Sequence, residues 1–268
     1  MVRAVKYVVL IAILAIMVFP LAWMFRVSLI PPSGGLAIGD FFSPVFTLAI
    51  YTDIFTSGNM LKYFINSVIV GVIVTGGNIL FCFMVGYALS RYRFVGRSFW
   101  FYSIIFVLMI PAHIIIIPLY LLVYHLGLYD TYGALILPFL VNPIGVFLVK
   151  QYIDSLPTAV EEAARIDGAG ELRILFRIVM PLCRPALAVL AIQVFLTNWN
   201  SFLFPFILTS SEAVRTLPVG LALYQGHQAI DWPHLMAGSS LAVIPVLVLF
   251  LFFQRHIISG ITSGAIKQ

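Results

Sequence analysis

Charge is scarce in this sequence. Only 9% of its 268 residues are Asp, Glu, Lys or Arg, whereas a water-soluble domain carries roughly 25% because its surface faces solvent. The shortage excludes an ordinary soluble enzyme or binding module. Cysteine is nearly absent: Cys82 and Cys183 stand without a CxxC partner or a neighbouring histidine, so both read as packing residues and not as a disulfide or metal ligands. Also missing is a glycine before any of the four lysines, which follow Val5, Leu61, Val149 and Ile266. A P-loop needs glycines ahead of a lysine that reaches the phosphates, so nucleotide hydrolysis by that mechanism is excluded. No HExxH, paired carboxylate or nucleophile constellation replaces it, and the chain is expected to be non-catalytic, with no metal.

Apolar residues fill the space that charge leaves. They make up 62% of the chain, and the mean hydropathy is +1.08. Long apolar runs separated by short polar loops predict helices crossing a bilayer, each needing about 20 residues. Six spans are expected, at 7–28, 63–89, 98–122, 133–152, 185–208 and 236–255, forming one transmembrane domain over residues 1–268. The first run is too long and continuous for a cleaved signal peptide. Orientation follows from the cations. Arg3, Lys6, Arg91, Arg93, Arg97, Lys150, Arg165, Arg173, Arg177, Arg184, Arg255 and Lys267 fall on one side, against Arg26, Lys62 and Arg215 on the other. Both termini are therefore expected in the cytoplasm. The net charge of +5 then belongs to membrane topology and not to nucleic acid.

Helix breakers recur inside the spans: Pro111, Pro118, Pro138, Pro143, Pro205 and Pro245. Each removes a backbone donor, so these helices are expected to kink. Gly71, Gly76, Gly77 and Gly86 run down the second span and suit close helix contact, in ordinary packing or otherwise. All ten Asp and Glu fall in loops or at span ends. A stand-alone secondary transporter or channel, the alternative reading, would want a carboxylate at membrane depth for ion coupling.

The most informative segment is the loop 153–184. Thr158 is placed to cap a helix, with Glu161 three residues later completing a capping box. Ala163, Ala164 and Ile166 continue that helix, and Gly168 ends it, since glycine accepts the left-handed conformation. A second helix is expected from Glu171 to Met180, carrying Leu172, Leu175, Phe176 and Val179 on one face. Pro181 and Pro185 return the chain to the membrane.

Glu162-Ala163-Ala164, Gly168, Ile178 and Pro181 resemble the EAA loop of permease subunits in binding-protein-dependent ABC importers. The run Glu162-Ala163-Ala164-Arg165-Ile166-Asp167-Gly168-Ala169 is similar to the carbohydrate-uptake subfamily and its smaller maltose-type permease, with Met180 where leucine is usual. Asn198-Trp199-Asn200, Asp231-Trp232 and the ending 253–267 extend the likeness. The resemblance implies an all-α integral membrane fold of six helices in a prokaryotic cell membrane. It further implies a second homologous permease, two ATPase subunits and an extracytoplasmic solute-binding protein as partners. Glu162, Ala163, Ala164, Asp167, Gly168, Ala169, Phe176 and Pro181 would couple to an ATPase subunit through residues 155–181. ATP and magnesium would sit on those subunits, this chain binding no cofactor.

Polar groups at membrane depth are expensive. Most of those here, including Asn66, Asn78, His113, His125, Asn142 and Gln193, are expected to serve helix–helix hydrogen bonds. Asn198, Trp199 and Asn200 set an aromatic plane beside two amides, a pairing suited to a sugar path as well as to packing. In the family, the loop holding Tyr224, Gln225, His227 and Gln228 reaches toward the binding protein.

Overall fold

The computed structural model describes residues 2–31, 45–56, 59–223 and 231–265, with side chains outside 2–4 and 253–265. Helix and turn account for all regular structure among the described residues, without a strand. Four stretches are long and apolar enough to cross a membrane: Val5–Val27, Met60–Arg91, Tyr132–Asp154 and Trp232–Phe252. Two bent pairs, Arg97–Leu108 with Ala112–His125 at 96° and Glu171–Leu182 with Arg184–Trp199 at 76°, raise the count to as many as six.

In order, the helices are α1 (Val2–Val27), α2 (Ala49–Thr56), α3 (Met60–Arg91), α4 (Arg97–Leu108), α5 (Ile116–His125), α6 (Tyr132–Ile136), α7 (Pro143–Asp154), α8 (Ala159–Ile166), α9 (Glu171–Arg173), α10 (Met180–Leu182), α11 (Arg184–Trp199), α12 (Leu203–Leu208), α13 (Leu217–Leu223) and α14 (Trp232–Ala265). Short 3₁₀ turns occupy Ala112–Ile115 and Leu137–Phe139, and a π-helical segment, Ile174–Val179, joins α9 to α10.

Proline and asparagine decide the breaks. Pro111 stands extended ahead of the 3₁₀ turn that separates α4 from α5. Pro138 lies in the 3₁₀ turn before α7, and Pro143 opens α7, where its missing N–H costs nothing. The fifth apolar run does not continue as one helix to 208. Instead α11 ends at Trp199, Asn200 takes the C-cap position, and α12 restarts at Leu203.

The chain forms two compact units, Ser67–Val214 with Leu249–Gln268 and Met1–Asn66 with Arg215–Val248. The first holds the larger core, including Phe83, Tyr87, Leu135, Ile153, Ile174 and Leu190. Its directions can be read from side-chain pairs. A Cβ at Gly77 would strike Leu140, and one at Gly86 would crowd Val149 and the backbone of Lys150. Asn142 bonds to Asn78, and Ser90 to Asp154. The offset is 63 or 64 residues at every level, so α3 and α7 run parallel, and the chain between them must travel back along the unit. The bent α4–α5 pair lies on that return. Near its start, Lys150 on α7 sits over the Phe101 ring of α4 at 4.6 Å. By contrast α11 is antiparallel to α3: Gly71 faces Phe195, while Cys82 and Leu190 meet at Gly145. Gly76, expected among the contact glycines, faces open space.

In the other unit, Arg215 closes on the start of α3. Its guanidinium donates to the Tyr63 hydroxyl at 3.3 Å and its carbonyl accepts from Asn66 at 2.9 Å. Arg26 stacks on Phe46 at 4.4 Å and donates to the Val45 carbonyl at 3.2 Å. No part of the apolar window of Val5–Val27 is buried within this chain.

Candidate functional site in the loop between α7 and α11

The loop begins where α7 ends at Asp154, whose carboxylate accepts from Ser90 at the end of α3 and from Lys150 one turn earlier, each at 2.5 Å. After Pro157 the chain enters α8 directly. Thr158 lies in the helical region, φ −68° and ψ −22°, and its hydroxyl makes no cap bond. The expected capping box therefore does not form, because Glu161 has a stronger partner. Its Oε1 accepts from Arg91 Nε at 2.6 Å and its Oε2 from the Tyr87 hydroxyl at 3.1 Å. The Arg91 guanidinium brings an opposite formal charge to the buried carboxylate, which a backbone N–H at the cap does not. The Glu161 side chain is 4% exposed and that of Arg91 11%. Arg91 also donates to the Leu156 carbonyl at 2.9 Å. Sequence reasoning counted Arg91 only as a topology charge. Tyr87 and Arg91, four apart at the end of α3 and so on one face, were the available signal.

Glu162, the next residue, is exposed and has no partner among the described residues. Gly168 ends α8 with φ +79°, and a Cβ there would meet nothing within 4 Å. The glycine is needed for backbone conformation and not for space. Around this turn stand Ile166 at 87% exposure and Leu172 at 73%, with Glu162, Asp167 and Arg173 exposed beside them. Arg165 reaches across the turn to Glu171 at 2.7 and 3.2 Å, and Tyr92 donates to the same carboxylate at 3.3 Å. The hydrogen bond from Arg165 holds the Glu171 carboxyl below the ordinary range. It likewise raises the Arg165 guanidinium. Burial, and then the Glu171 charge, pushes the Tyr92 hydroxyl up.

The second loop helix departs from the single apolar face expected of it. Its π segment changes the residues per turn, so Ile174, Leu175 and Val179 are buried, while Leu172 and Phe176 point outward. Ala163 and Ala169 flank the turn, exposed and half-buried, and Ala164 packs inward. Pro181 sits in the first turn of α10.

Elsewhere, Trp199 is buried at 3% exposure and stacked on Phe195, 5.6 Å apart and 11° from parallel. Asn198 is half-buried near Gly71, and exposed Asn200 donates to the Leu196 carbonyl at 2.8 Å. Tyr224, Gln225, His227 and Gln228 lie outside the described residues. Asn78 is 1% exposed, donating to Phe139 and Val74 and accepting from Asn142. Among the described residues, no cluster of His, Cys, Asp and Glu is arranged to hold a metal ion.

The family described as binding-protein-dependent transport system inner membrane component matches residues 78–263. The arabinooligosaccharides transport system permease protein AraQ of Halalkalibacterium halodurans is 41% identical over 256 residues, covering 94% of this chain and 92% of its own length. The trehalose/maltose transport system permease protein MalG of Thermococcus litoralis is 34% identical, with coverages of 94% and 92%. A crystal structure of a bacterial ABC transporter involved in the import of the acidic polysaccharide alginate matches with a TM-score of 0.80 and 25% identity. It covers 94% of this chain and 95% of the solved one.

Proposed function

The chain belongs to the family of binding-protein-dependent transport system inner membrane components, and from that premise we propose that it forms half of the translocation path of a sugar ABC importer, coupled through residues 155–181 to a separate ATPase subunit. Its relatives carry sugar-transport names, which supports a saccharide or related solute as cargo. The stand-alone carrier is not favoured, since the family works with a binding protein. The remaining partners follow: a second, homologous permease, two ATPase subunits holding ATP and magnesium, and an extracytoplasmic solute-binding protein. Both termini and the loop face the cytoplasm in this reading.

One observation carries the coupling assignment. The turn at Gly168 presents Ile166 and Leu172 almost fully to solvent, framed by the unpaired Glu162 and by Asp167 and Arg173. Exposed apolar side chains inside a charged frame suit a protein partner better than water or lipid. The chain's lack of a P-loop supports the same division, because energy must arrive from another subunit. Asn198 and Asn200 remain the amides proposed for the solute path, with Trp199 a packing residue that fixes them. Tyr224, Gln225, His227 and Gln228 are proposed to meet the binding protein. The test is reconstitution of the purified complex in vesicles, with ATP hydrolysis measured against a panel of mono- and oligosaccharides bound to the binding protein. Solute-stimulated hydrolysis that disappears without this chain supports the proposal. Uptake by this chain alone, without ATP, would sink it.

A further inference from the structure

Two adjacent glutamates in the loop have opposite surroundings. Glu162 faces solvent. Glu161 points inward, held by Arg91 at 2.6 Å and Tyr87 at 3.1 Å. The same guanidinium takes the Leu156 carbonyl at 2.9 Å, so one side chain grips both α8 and the segment leading into it. One residue past the end of α3, Tyr92 donates to Glu171 at 3.3 Å, and Arg165 ties Glu171 back to α8. The end of α3 thus holds the loop at Leu156, Glu161 and Glu171. Beneath these bonds, Val149, Ile153, Ala164, Ile174, Val179 and Cys183 share one buried cluster. Ser90 and Lys150, meeting at Asp154, tie the parallel ends of α3 and α7 together.

A surface loop joined only at its two ends would bend when pushed and absorb the displacement. A loop clamped by buried, charge-assisted bonds and packed core has no soft element in which to do so, because close-packed interiors transmit strain. We infer that Glu161 is a positioning residue that locks the loop to α3 through Arg91 and Tyr87, so that the loop and the ends of α3 and α7 move as one body, while Glu162 is left to the docking partner. The inference rests on the proposed docking of an ATPase subunit at this loop. It assigns a separate task to a residue that the docking reading does not use. The lock carries motion along the axes of two parallel helices that run from the loop through the core of their unit.

The experiment uses the whole complex in lipid nanodiscs, with spin labels on cysteines introduced at the exposed positions 93 and 160, the native Cys82 and Cys183 being buried. In the otherwise unmutated chain the 93–160 distance stays single and narrow with and without ATP. Glu161→Gln and Arg91→Gln broaden it on ATP addition and lower the ratio of solute-stimulated to basal hydrolysis by about tenfold or more, the direction expected when one partner of a buried charge pair is lost. Both keep the ATPase subunits through purification. Tyr87→Phe, which removes one hydrogen bond, gives a smaller drop and serves if the charge variants fail to accumulate. Glu162→Gln shows the reverse pattern, losing ATPase subunits with the 93–160 distance unchanged. An ATP-dependent change of that distance in the unmutated chain, or normal stimulation in Glu161→Gln, overturns the lock. Failure of the unmutated chain to retain any ATPase subunit overturns the docking reading instead; the width of the 93–160 distance without ATP, narrow in the unmutated chain and broad in Glu161→Gln, then decides the lock.

Discussion

Asn142 donates its amide to the Oδ1 of Asn78 at 2.6 Å, joining the break before α7 to the middle of α3. Its own Oδ1 accepts from the Gly145 N–H at 2.6 Å and caps α7. The Asn78 amide in turn satisfies the Phe139 carbonyl at 2.7 Å, freed by the broken helix. Two amides thus repair the backbone that Pro138 and Pro143 interrupt, which is the condition for irregular backbone at membrane depth.

Replacing Asn142 with Ala removes a cap, typically about 1 kcal/mol. It also leaves Asn78 Oδ1 with only the weak Cys82 thiol at 3.6 Å, a further loss of about 1–3 kcal/mol. The expected result is a lower melting temperature in detergent, measured by tryptophan fluorescence. Asn142→Asp keeps the capping oxygen but sets a carboxylate oxygen against Asn78 Oδ1 at membrane depth, and should lose at least as much. An Asn142→Ala chain that melts with the wild type would refute the repair.

Glycine spacing separates into tight and open positions. A Cβ on Gly86 would lie 3.1 Å from the Lys150 backbone nitrogen, which cannot swing aside, whereas Gly76 has nothing within 4 Å. Gly86→Leu should therefore force α3 from α7 and lower both yield and melting temperature, since overpacking costs about 1–3 kcal/mol. Gly76→Leu should leave both unchanged. Equal behaviour of the two variants would show that α3 and α7 do not pack as described.

Topology is open to direct labelling. Single cysteines at positions 93, 165 and 264 should react with a membrane-impermeant maleimide only from the cytoplasmic side. Those at 53 and 228 should react only from outside. Reaction of position 165 from outside would remove the loop from any cytoplasmic ATPase.

The loop itself offers two distinct lesions. Glu162→Lys reverses a charge that would meet a cation on the ATPase subunit, and the loss of such a bond costs about 2–5 kcal/mol. Gly168→Asp strains a left-handed residue by about 1–2 kcal/mol and sets a carboxylate against the α8 C-terminal dipole. Both chains should insert normally but lose solute-stimulated hydrolysis and transport. Gly168→Asn should be milder than Gly168→Asp, because asparagine visits this conformation and carries no charge. Full transport by Glu162→Lys would reduce the loop to a connector.

Deleting residues 260–268 should lower transport or assembly without affecting insertion, read out by uptake and by ATPase co-purification. The deleted stretch resembles a family tail that contacts the ATPase subunits. Wild-type uptake after the deletion would leave it an idle terminus.

Much of this protein was decided by the sequence alone, wherever the governing physics is local. A run of apolar residues must leave water whatever surrounds it, so the membrane class and the helical spans at 63–89 and 236–255 were readable from composition and length, although α14 runs on to Ala265, ten residues past the expected end. Gly168 announced its left-handed turn because that conformation excludes most other residues, and the turn is there, at φ +79°. Tertiary structure decided the rest. Thr158 and Glu161 satisfy a capping pattern three residues apart, yet the carboxylate goes to Arg91, 70 residues away, because a buried charge must find an opposite charge and a hydroxyl cap does not supply one. The π segment that turned Leu172 and Phe176 outward, and the end of α11 at Trp199, likewise depend on neighbours. An apolar run states that a helix is buried in something; only the packing of α3 against α7 and α11 fixes where that helix stops and which of its faces is covered.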